Sequence, residues 1–342
     1  MSLLEERIAL MVRLGNYLAD NNEEWQNVVA LAERMNGWFT PEFIRLAATN
    51  IREAFLQEDK LNAWLAQYPG LGQAAGSNKT VGLVMAGNIP LVGFHDFLCV
   101  YLSGLKLNLK LSSKDTVLWE HLLALLSNWD TRFGNQVTVG EMLKGCDAYI
   151  ATGSNNSARY FEQYFQKYPH IIRKNRTSVA LLDGSETREQ LDSLATDVCS
   201  YFGLGCRNIT KIYVPEGYAF EALLPVFDRY KHHVEHNKYK NNYDFQLAIF
   251  LLNKVPYMTN GSLLLVPSES PFAAIGVLHY EYYQDKEALL QTLSQDDRLQ
   301  CITMKEHIQA GTVATKTFGE NQVPALEDYA DGIDTMAFLS GL

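Results

Sequence analysis

The sequence predicts an α/β protein: a helical N-terminal segment followed by two sheet-containing domains. Three observations predict it. Residues 3 to 66 place apolar side chains such as Leu10, Met11, Leu14 and Leu18 at helical spacing. From Val81 onward, short apolar runs alternate with helical stretches, the pattern of right-handed crossovers and a mostly parallel sheet. The length of 342 residues exceeds what one ordinary core accommodates.

The elements follow in order. The N-terminal helices are expected to pack on the main body. Gly70, Gly72 and Gly76 mark 70–79 as a loop. Residues 81–86 form a strand ending in Gly87-Asn88-Ile89-Pro90, and a helix spans 91–103. Residues 105–111 alternate as a strand, 118–129 form a helix, and the strand 147–151 stops at Thr152-Gly153-Ser154. A helix over 157–167, a strand over 178–182 and a helix over 188–201 complete the first region. Beyond Cys206 come a strand over 212–214, helices over 219–230 and 244–252, strands over 263–266 and 275–278, and helices over 285–293 and 304–309. The expected organisation is a helical segment 1–66, α/β domains 67–202 and 203–320, and a C-terminal segment 321–342. Cys206 then falls at the junction of two α/β regions, where ligands tend to bind.

Hydrophobic residues make up 47% and charged residues 20%, as in soluble globular proteins. A net charge of -10 argues against a nucleic-acid partner bound through a broad basic face. It leaves room for a phosphorylated cofactor, which needs only a local pocket. The acidic start Met1–Arg7 runs straight into an amphipathic helix, so no secretory leader is expected. No run approaches the ~18 apolar residues of a membrane span. The five cysteines (Cys99, Cys146, Cys199, Cys206, Cys301) are widely spaced and contain no CxxC, so no zinc site or disulfide framework is expected. A reducing cytoplasm fits best.

Phe202-Gly203-Leu204-Gly205-Cys206-Arg207-Asn208 carries the sharpest chemical signal. Glycines let backbone and ligand approach the sulfur, and Arg207 adds charge that favours a thiolate nucleophile. The competing reading is one more small buried cysteine. Asn88, at the carboxyl end of the first sheet strand, is a neutral donor suited to an oxyanion, with the Cys206 N–H as a second donor. Alternatively it only caps the following helix, with Pro90 in its first turn. Lys110, Ser112, Ser113 and Lys114 offer donors for ribose or phosphate, or form a solvated turn. Gly153 and Ser154 join a strand to a helix whose N–H groups suit a pyrophosphate, or serve as a cap alone. No G-x-G-x-x-G follows any strand. His232 and His236 share a helical face but lack further ligands, so no metal is expected.

In order, Gly87-Asn88-Ile89-Pro90-Leu91, Lys110-Leu111-Ser112-Ser113-Lys114, Thr152-Gly153-Ser154 and Gly203-Leu204-Gly205-Cys206 resemble the motifs of the aldehyde dehydrogenase superfamily. Val92-Gly93-Phe94-His95-Asp96 and Tyr201–Asn208 are most similar to its acyl-reducing branch, the LuxC-type acyl-CoA reductases. The similarity runs from about Val81 to the C-terminus. It implies a Rossmann-variant cofactor domain (67–202) lacking the glycine fingerprint and a catalytic domain (203–320) carrying the nucleophile. Cys206 matches the nucleophile, Asn88 the oxyanion amide, Lys110 the lysine at the adenosine ribose, and Gly153 and Ser154 the loop beside the cofactor phosphates.

Two departures from the resemblance bear on chemistry. The water-activating glutamate of oxidising members, within Glu-Leu-Gly-Gly, matches Leu181-Leu182-Asp183-Gly184 here. Leucine is no general base, with Asp183 and Glu186 close by in sequence as alternatives. Ser113, with Lys114 beside it, replaces the glutamate of NAD-preferring members, which favours NADPH, with NADH as the alternative. Glu269-Ser270-Pro271-Phe272 lies near the family's nicotinamide-ribose glutamate, the strict match falling on Ser270. The resemblance thus implies NAD(P)H-dependent reduction of an acyl-CoA to aldehyde through an acyl-cysteine. An acyl-transferring synthetase partner and a homo-oligomer are further expectations. The alternatives are another acyl donor such as an acyl phosphate, oxidation of an aldehyde, or a non-catalytic binding subunit with this fold.

Overall fold

Ser2 begins the first helix with a capping box: its Oγ accepts the Glu5 N–H at 3.2 Å, and the Glu5 carboxylate accepts the Ser2 N–H at 2.7 Å. The computed structural model describes residues 2–20, 22–71, 78–308 and 311–342. Most of the loop expected over 70–79 lies outside them. Helices α1 (Leu3–Ala19), α2 (Glu23–Met35), α3 (Pro41–Phe55) and α4 (Glu58–Leu65) open the chain. Each of the first three is capped by a side-chain oxygen, from Ser2, Asn22 and Thr40.

The chain forms two units, residues 1–175 with 324–342, and residues 176–323. The first unit continues with β1 (Thr80–Val84), α5 (Phe94–Ser103), β2 (Lys106–Lys110), α6 (Thr116–Trp129), α7 (Thr131–Gln136), β3 (Val137–Val139), β4 (Ala148–Thr152), α8 (Asn155–Phe165) and β5 (His170–Arg173). Its sheet is parallel throughout, in the order β3-β2-β1-β4-β5. Strand order reverses between β1 and β4, which makes the carboxyl ends of those two strands the topological switch point. Met11 and Leu14 of α1, Trp64 of α4, Phe97 of α5 and Trp119 of α6 bury their side chains in one core with the sheet. Met336 and Leu339, from the C-terminal helix Thr335–Ser340, join it.

The second unit holds β6 (Thr177–Leu181), α9 (Arg188–Cys199), β7 (Ile209–Pro215), α10 (Phe220–Leu223), α11 (Asn237–Leu252), β8 (Met258–Thr259), β9 (Leu264–Pro267), β10 (Val277–Tyr283), α12 (Lys286–Leu293), β11 (Leu299–Thr303) and β12 (Ala314–Lys316). Its sheet order is β12-β11-β6-β7-β10-β9-β8, with only the two-residue β8 antiparallel. The passage between units falls at Asn175/Arg176. So β6 and α9, which the sequence reading grouped with the first α/β domain, share a sheet and core with the residues after Cys206.

Four differences from the sequence reading have local causes. Helix α5 starts at Phe94 rather than Leu91, because Leu91 is left-handed at φ 54°. The helix expected over 219–230 is one α-turn followed by a 3-10 helix, Leu224–Glu235. Pro225 at its start lacks the N–H an α-helix needs. The helix expected from Met304 is absent over the described residues 304–308. There the Met304 N–H is drawn to the Lys316 carbonyl at 2.9 Å, continuing the β11–β12 pairing. The short strands β3, β5, β8 and β12 carry too few residues to show a period of two.

Candidate active site

Three of the four sequence motifs converge within the first unit. Gly87-Asn88 follows β1, Lys110 ends β2 with residues 111–114 after it, and Gly153-Ser154 follows β4. They therefore lie along one carboxyl edge of adjacent parallel strands, at and beside the switch point. Lys110, Ser113, Lys114 and Ser154 are exposed, whereas Asn88, Ser112 and Gly153 are half-buried. Gly93, not Asn88, occupies the cap position of α5. Asn88 lies five residues earlier, so helix capping does not account for it. Ser154 does cap: its Oγ accepts the Ser157 N–H at 3.2 Å at the start of α8.

The β1 and β2 loops are fastened to each other. The Met85 N–H donates to the Lys110 carbonyl at 3.0 Å. A Cβ built on Gly87 would lie 2.7 Å from Ser112 Cβ, so only glycine permits this approach. Asp115, buried at the start of α6, accepts the Leu91 N–H through Oδ2 at 2.7 Å. Burial pushes the Asp115 carboxyl up to about 8, with the Leu91 N–H pulling the other way. Sequence reading missed Asp115. Its only signal was a carboxylate at a helix start, where a plain cap was the simpler expectation.

Cys206 belongs to the second unit and is the one cysteine of the five that is not buried. Burial pushes the thiols of Cys99, Cys146 and Cys199 up, disfavouring thiolate there. Cys206 and Arg207 are the central residues of a turn closed by the Asn208 N–H on the Gly205 carbonyl, 3.1 Å. Ahead of that turn, Tyr201 (φ 53°), Phe202 (φ 55°) and Gly203 (φ 75°) are all left-handed. Such conformations cost roughly 1–3 kcal/mol per non-glycine residue. Packing holds them: the Phe202 ring lies 4.8 Å from the rings of His233 and His236 and 5.4 Å from that of Tyr239. His233 is buried in this aromatic cluster and His236 caps α11. The histidines thus have structural work beside the cysteine loop. Arg207 directs a guanidinium nitrogen to Cys301 Sγ at 3.5 Å.

The sequence of the LuxC acyl-CoA reductase family matches this chain over residues 16–221, more than half its length. The chain belongs to that family. No curated protein matches it in sequence. Among solved structures, the fold is similar to the Mycobacterium tuberculosis aldehyde dehydrogenase complexed with NAD+. That match has 13% identity and a TM-score of 0.67, covering 92% of this chain and 77% of the other. Succinic semialdehyde dehydrogenase from Streptococcus pyogenes, in complex with NADP+, matches with 13% identity and a TM-score of 0.66, covering 93% and 82%. The LuxC-family chain has the aldehyde dehydrogenase fold.

One expectation is corrected by that fold. Leu181–Gly184 sits at the carboxyl end of β6, where the Leu182 N–H meets the Tyr213 carbonyl at 2.9 Å. Cys206 lies at the opposite end of the same strand pair, its carbonyl accepting the Ser178 Oγ–H at 3.1 Å. The segment read as replacing Glu-Leu-Gly-Gly is therefore not beside the cysteine. Asp183 and Glu186 are equally remote, and both carboxylates close the local turn: that of Glu186 accepts the Asp183 N–H at 2.6 Å and the Gly184 N–H at 3.1 Å, and that of Asp183 accepts the Ser185 N–H at 2.9 Å.

Glu269 does lie on the Cys206 side. The buried Lys211 of β7 donates to the Glu269 carbonyl at 2.8 Å and pairs with the Glu281 carboxylate. Thr210 Oγ1 donates to the Pro271 carbonyl at 2.5 Å. The Glu269–Phe272 segment is thus tied to Thr210 and Lys211 of β7, four and five residues after the candidate nucleophile.

Proposed function

We propose that this chain is an NAD(P)H-dependent acyl-thioester reductase that releases an aldehyde from an acyl-CoA through an acyl-cysteine. The family match supports the acyl-CoA donor. The observation that carries the residue assignment is a single partly exposed cysteine on a fastened turn, the other four cysteines being buried. A nicotinamide dinucleotide fits the first unit by donor chemistry: Lys110, Ser112, Ser113, Lys114, Gly153 and Ser154 present ammonium, hydroxyl and main-chain N–H groups along the switch-point edge. When bound, that cofactor supplies a hydride.

The roles of the chain's own groups follow. The Cys206 thiolate attacks the acyl carbonyl carbon, an S–C bond forms, and the coenzyme A thiolate leaves. The Asn88 amide and the Cys206 N–H donate to the oxyanion that develops on the carbonyl oxygen, before and after reduction. Collapse of the second tetrahedral adduct breaks the S–C bond, frees aldehyde and restores the thiolate. Ser113 and Lys114 favour a 2′-phosphate, hence NADPH ahead of NADH. A cytoplasmic location, self-association and delivery of acyl groups by a synthetase partner belong to the same reading.

The test mixes the purified chain with acyl-CoA of several chain lengths and NADPH, and follows absorbance of the reduced cofactor. Peptide mass spectrometry then looks for an acyl adduct on Cys206. Cofactor consumption with the adduct on Cys206 is expected. Absence of both, with cofactor binding intact, rejects the proposal, and an adduct formed only from acyl phosphate changes the donor class.

A further inference from the structure

We infer that Asn208 is the positioning residue of the Cys206 turn, its buried carboxamide fastening the nucleophile to the end of α9. The inference rests on Cys206 being the reactive group. The Asn208 side chain is fully buried, yet its polar atoms are used from both sides. Nδ2 donates to the carbonyls of Asp197 at 2.9 Å, Ser200 at 2.9 Å and, more weakly, Val198 at 3.4 Å. Oδ1 accepts the Gly205 N–H at 2.8 Å. The last carbonyls of an α-helix lack intrahelical donors, and α9 has no basic residue in its last turn. One amide therefore satisfies the helix end and fixes the residue just before Cys206.

The other exits from the turn are held as well. Ser178 Oγ donates to the Cys206 carbonyl, and Asn321 Nδ2 donates to the Arg207 carbonyl at 3.1 Å. Asn321 Oδ1 accepts from Thr303 Oγ1 at 3.0 Å, and the Gly319 N–H donates to the Asp197 carboxylate at 2.7 Å. Ser178, Asp197, Asn208, Thr303 and Asn321 are all fully buried. Both polar atoms of Asn208 and of Asn321 are matched, whereas the second oxygen of Asp197 has no partner among the described residues. A buried amide matched on both sides enforces one geometry, and here that geometry is the path of three residues around the one cysteine that is not buried. A turn needed only to connect α9 to β7 could be apolar.

The experiment measures alkylation of Cys206 by iodoacetamide between pH 5 and 9.5 in the full-length chain, with peptide mapping to assign the site. The parent is compared with Asn208→Ala and Asn208→Asp, the latter isosteric but placing an acceptor against three carbonyl oxygens. Melting temperatures are recorded in parallel. The midpoint of the alkylation profile is expected to move by about one pH unit, and kcat to fall tenfold or more with KM for acyl-CoA changed less than about twofold. A loss of melting temperature with midpoint and alkylation rate within about twofold of the parent overturns the inference, since a purely structural residue behaves so. Should Asn208→Ala fail to fold, Asn208→Ser is read by the same criteria. If the parent reduces no acyl-CoA but the midpoint still moves, the positioning role stands and the reductase reading falls. If the parent is active and the midpoint stays, the reverse holds.

Discussion

Asp115 Oδ2 accepts the N–H of Leu91 at 2.7 Å, and both residues are buried. Leu91 holds φ 54° three residues after Asn88, so this bond secures a strained backbone at the loop that carries the proposed oxyanion donor. Asp115→Ala leaves a buried N–H without its acceptor, at a cost of roughly 1–3 kcal/mol. Asp115→Asn keeps an acceptor and cannot ionise. Because the folded-state value is raised from 3.8 to about 8, the stability involved is fully present below pH 4 and is lost as pH rises through 8. The melting temperature of the parent should therefore fall relative to Asp115→Asn between pH 6 and pH 9. Parallel melting curves across that range contradict the assignment.

Gly87→Ala tests the fastening of the β1 loop to the β2 loop. The added methyl would lie 2.7 Å from Ser112 Cβ, so one loop must move. Overpacking of this kind costs about 1–3 kcal/mol. Cofactor affinity, read by fluorescence titration, should weaken about tenfold. Gly87→Ala with Ser112→Gly should recover part of it, because the second change vacates the contested space.

Much of this was legible before the fold was seen. Alternation of apolar runs with helical stretches gave the sheets, and the order of Asn88, Lys110, Ser154 and Cys206 along the chain was itself a signature. What stayed hidden depends on contacts distant in sequence. Asp115 reads as an ordinary helix cap until Leu91 is seen to reach it. Asn208 reads as a turn residue until the α9 carbonyls are placed around it. His232 and His236 suggest a ligand pair until His236 is found capping α11 with its ring against Phe202. The misplacement of Leu181 has another origin: which end of β6 lies beside Cys206 is set by the parallel pairing of β6 with β7, a contact that no local pattern records.

His233 should make the second unit acid-sensitive. Burial, followed by the charges of His232 and His236, lowers it to about 3 from 6.5. A depressed histidine contributes stability present above pH 6.5 and lost as pH falls toward 3. At pH 5 the loss is about 2 kcal/mol, at roughly 1.4 kcal/mol per pH unit. His233→Phe removes that loss while keeping a ring against Phe202. Urea denaturation at pH 7.5 and pH 5 should show a smaller drop in midpoint for His233→Phe than for the parent. Equal drops would show that the protonation lies elsewhere.

Cofactor choice is read most directly at Ser113. Ser113→Glu places a carboxylate on the exposed loop after β2, where it repels a 2′-phosphate and accepts hydrogen bonds from a free ribose. The ratio of kcat/KM for NADPH to that for NADH should fall at least tenfold, with little change in melting temperature because the site is exposed. Lys114→Ala should lower the same ratio by a smaller factor. A ratio unmoved by either change would mean that the β2 loop does not meet the adenosine ribose.

Asn88 carries the sharpest catalytic prediction. It is half-buried and does not cap α5, and melting temperatures recorded in parallel separate a catalytic loss from a loss of stability. Loss of one oxyanion donor typically lowers turnover about 100- to 1,000-fold. Asn88→Ala should therefore reduce kcat by that factor while iodoacetamide alkylation of Cys206 keeps the parental rate, because the sulfur itself is untouched. Asn88→Asp should be worse than Asn88→Ala, since a carboxylate repels the developing negative charge. If Asn88→Ala instead matches the parent in kcat, the donor must come from another group and the role of the β1 loop reduces to cofactor binding.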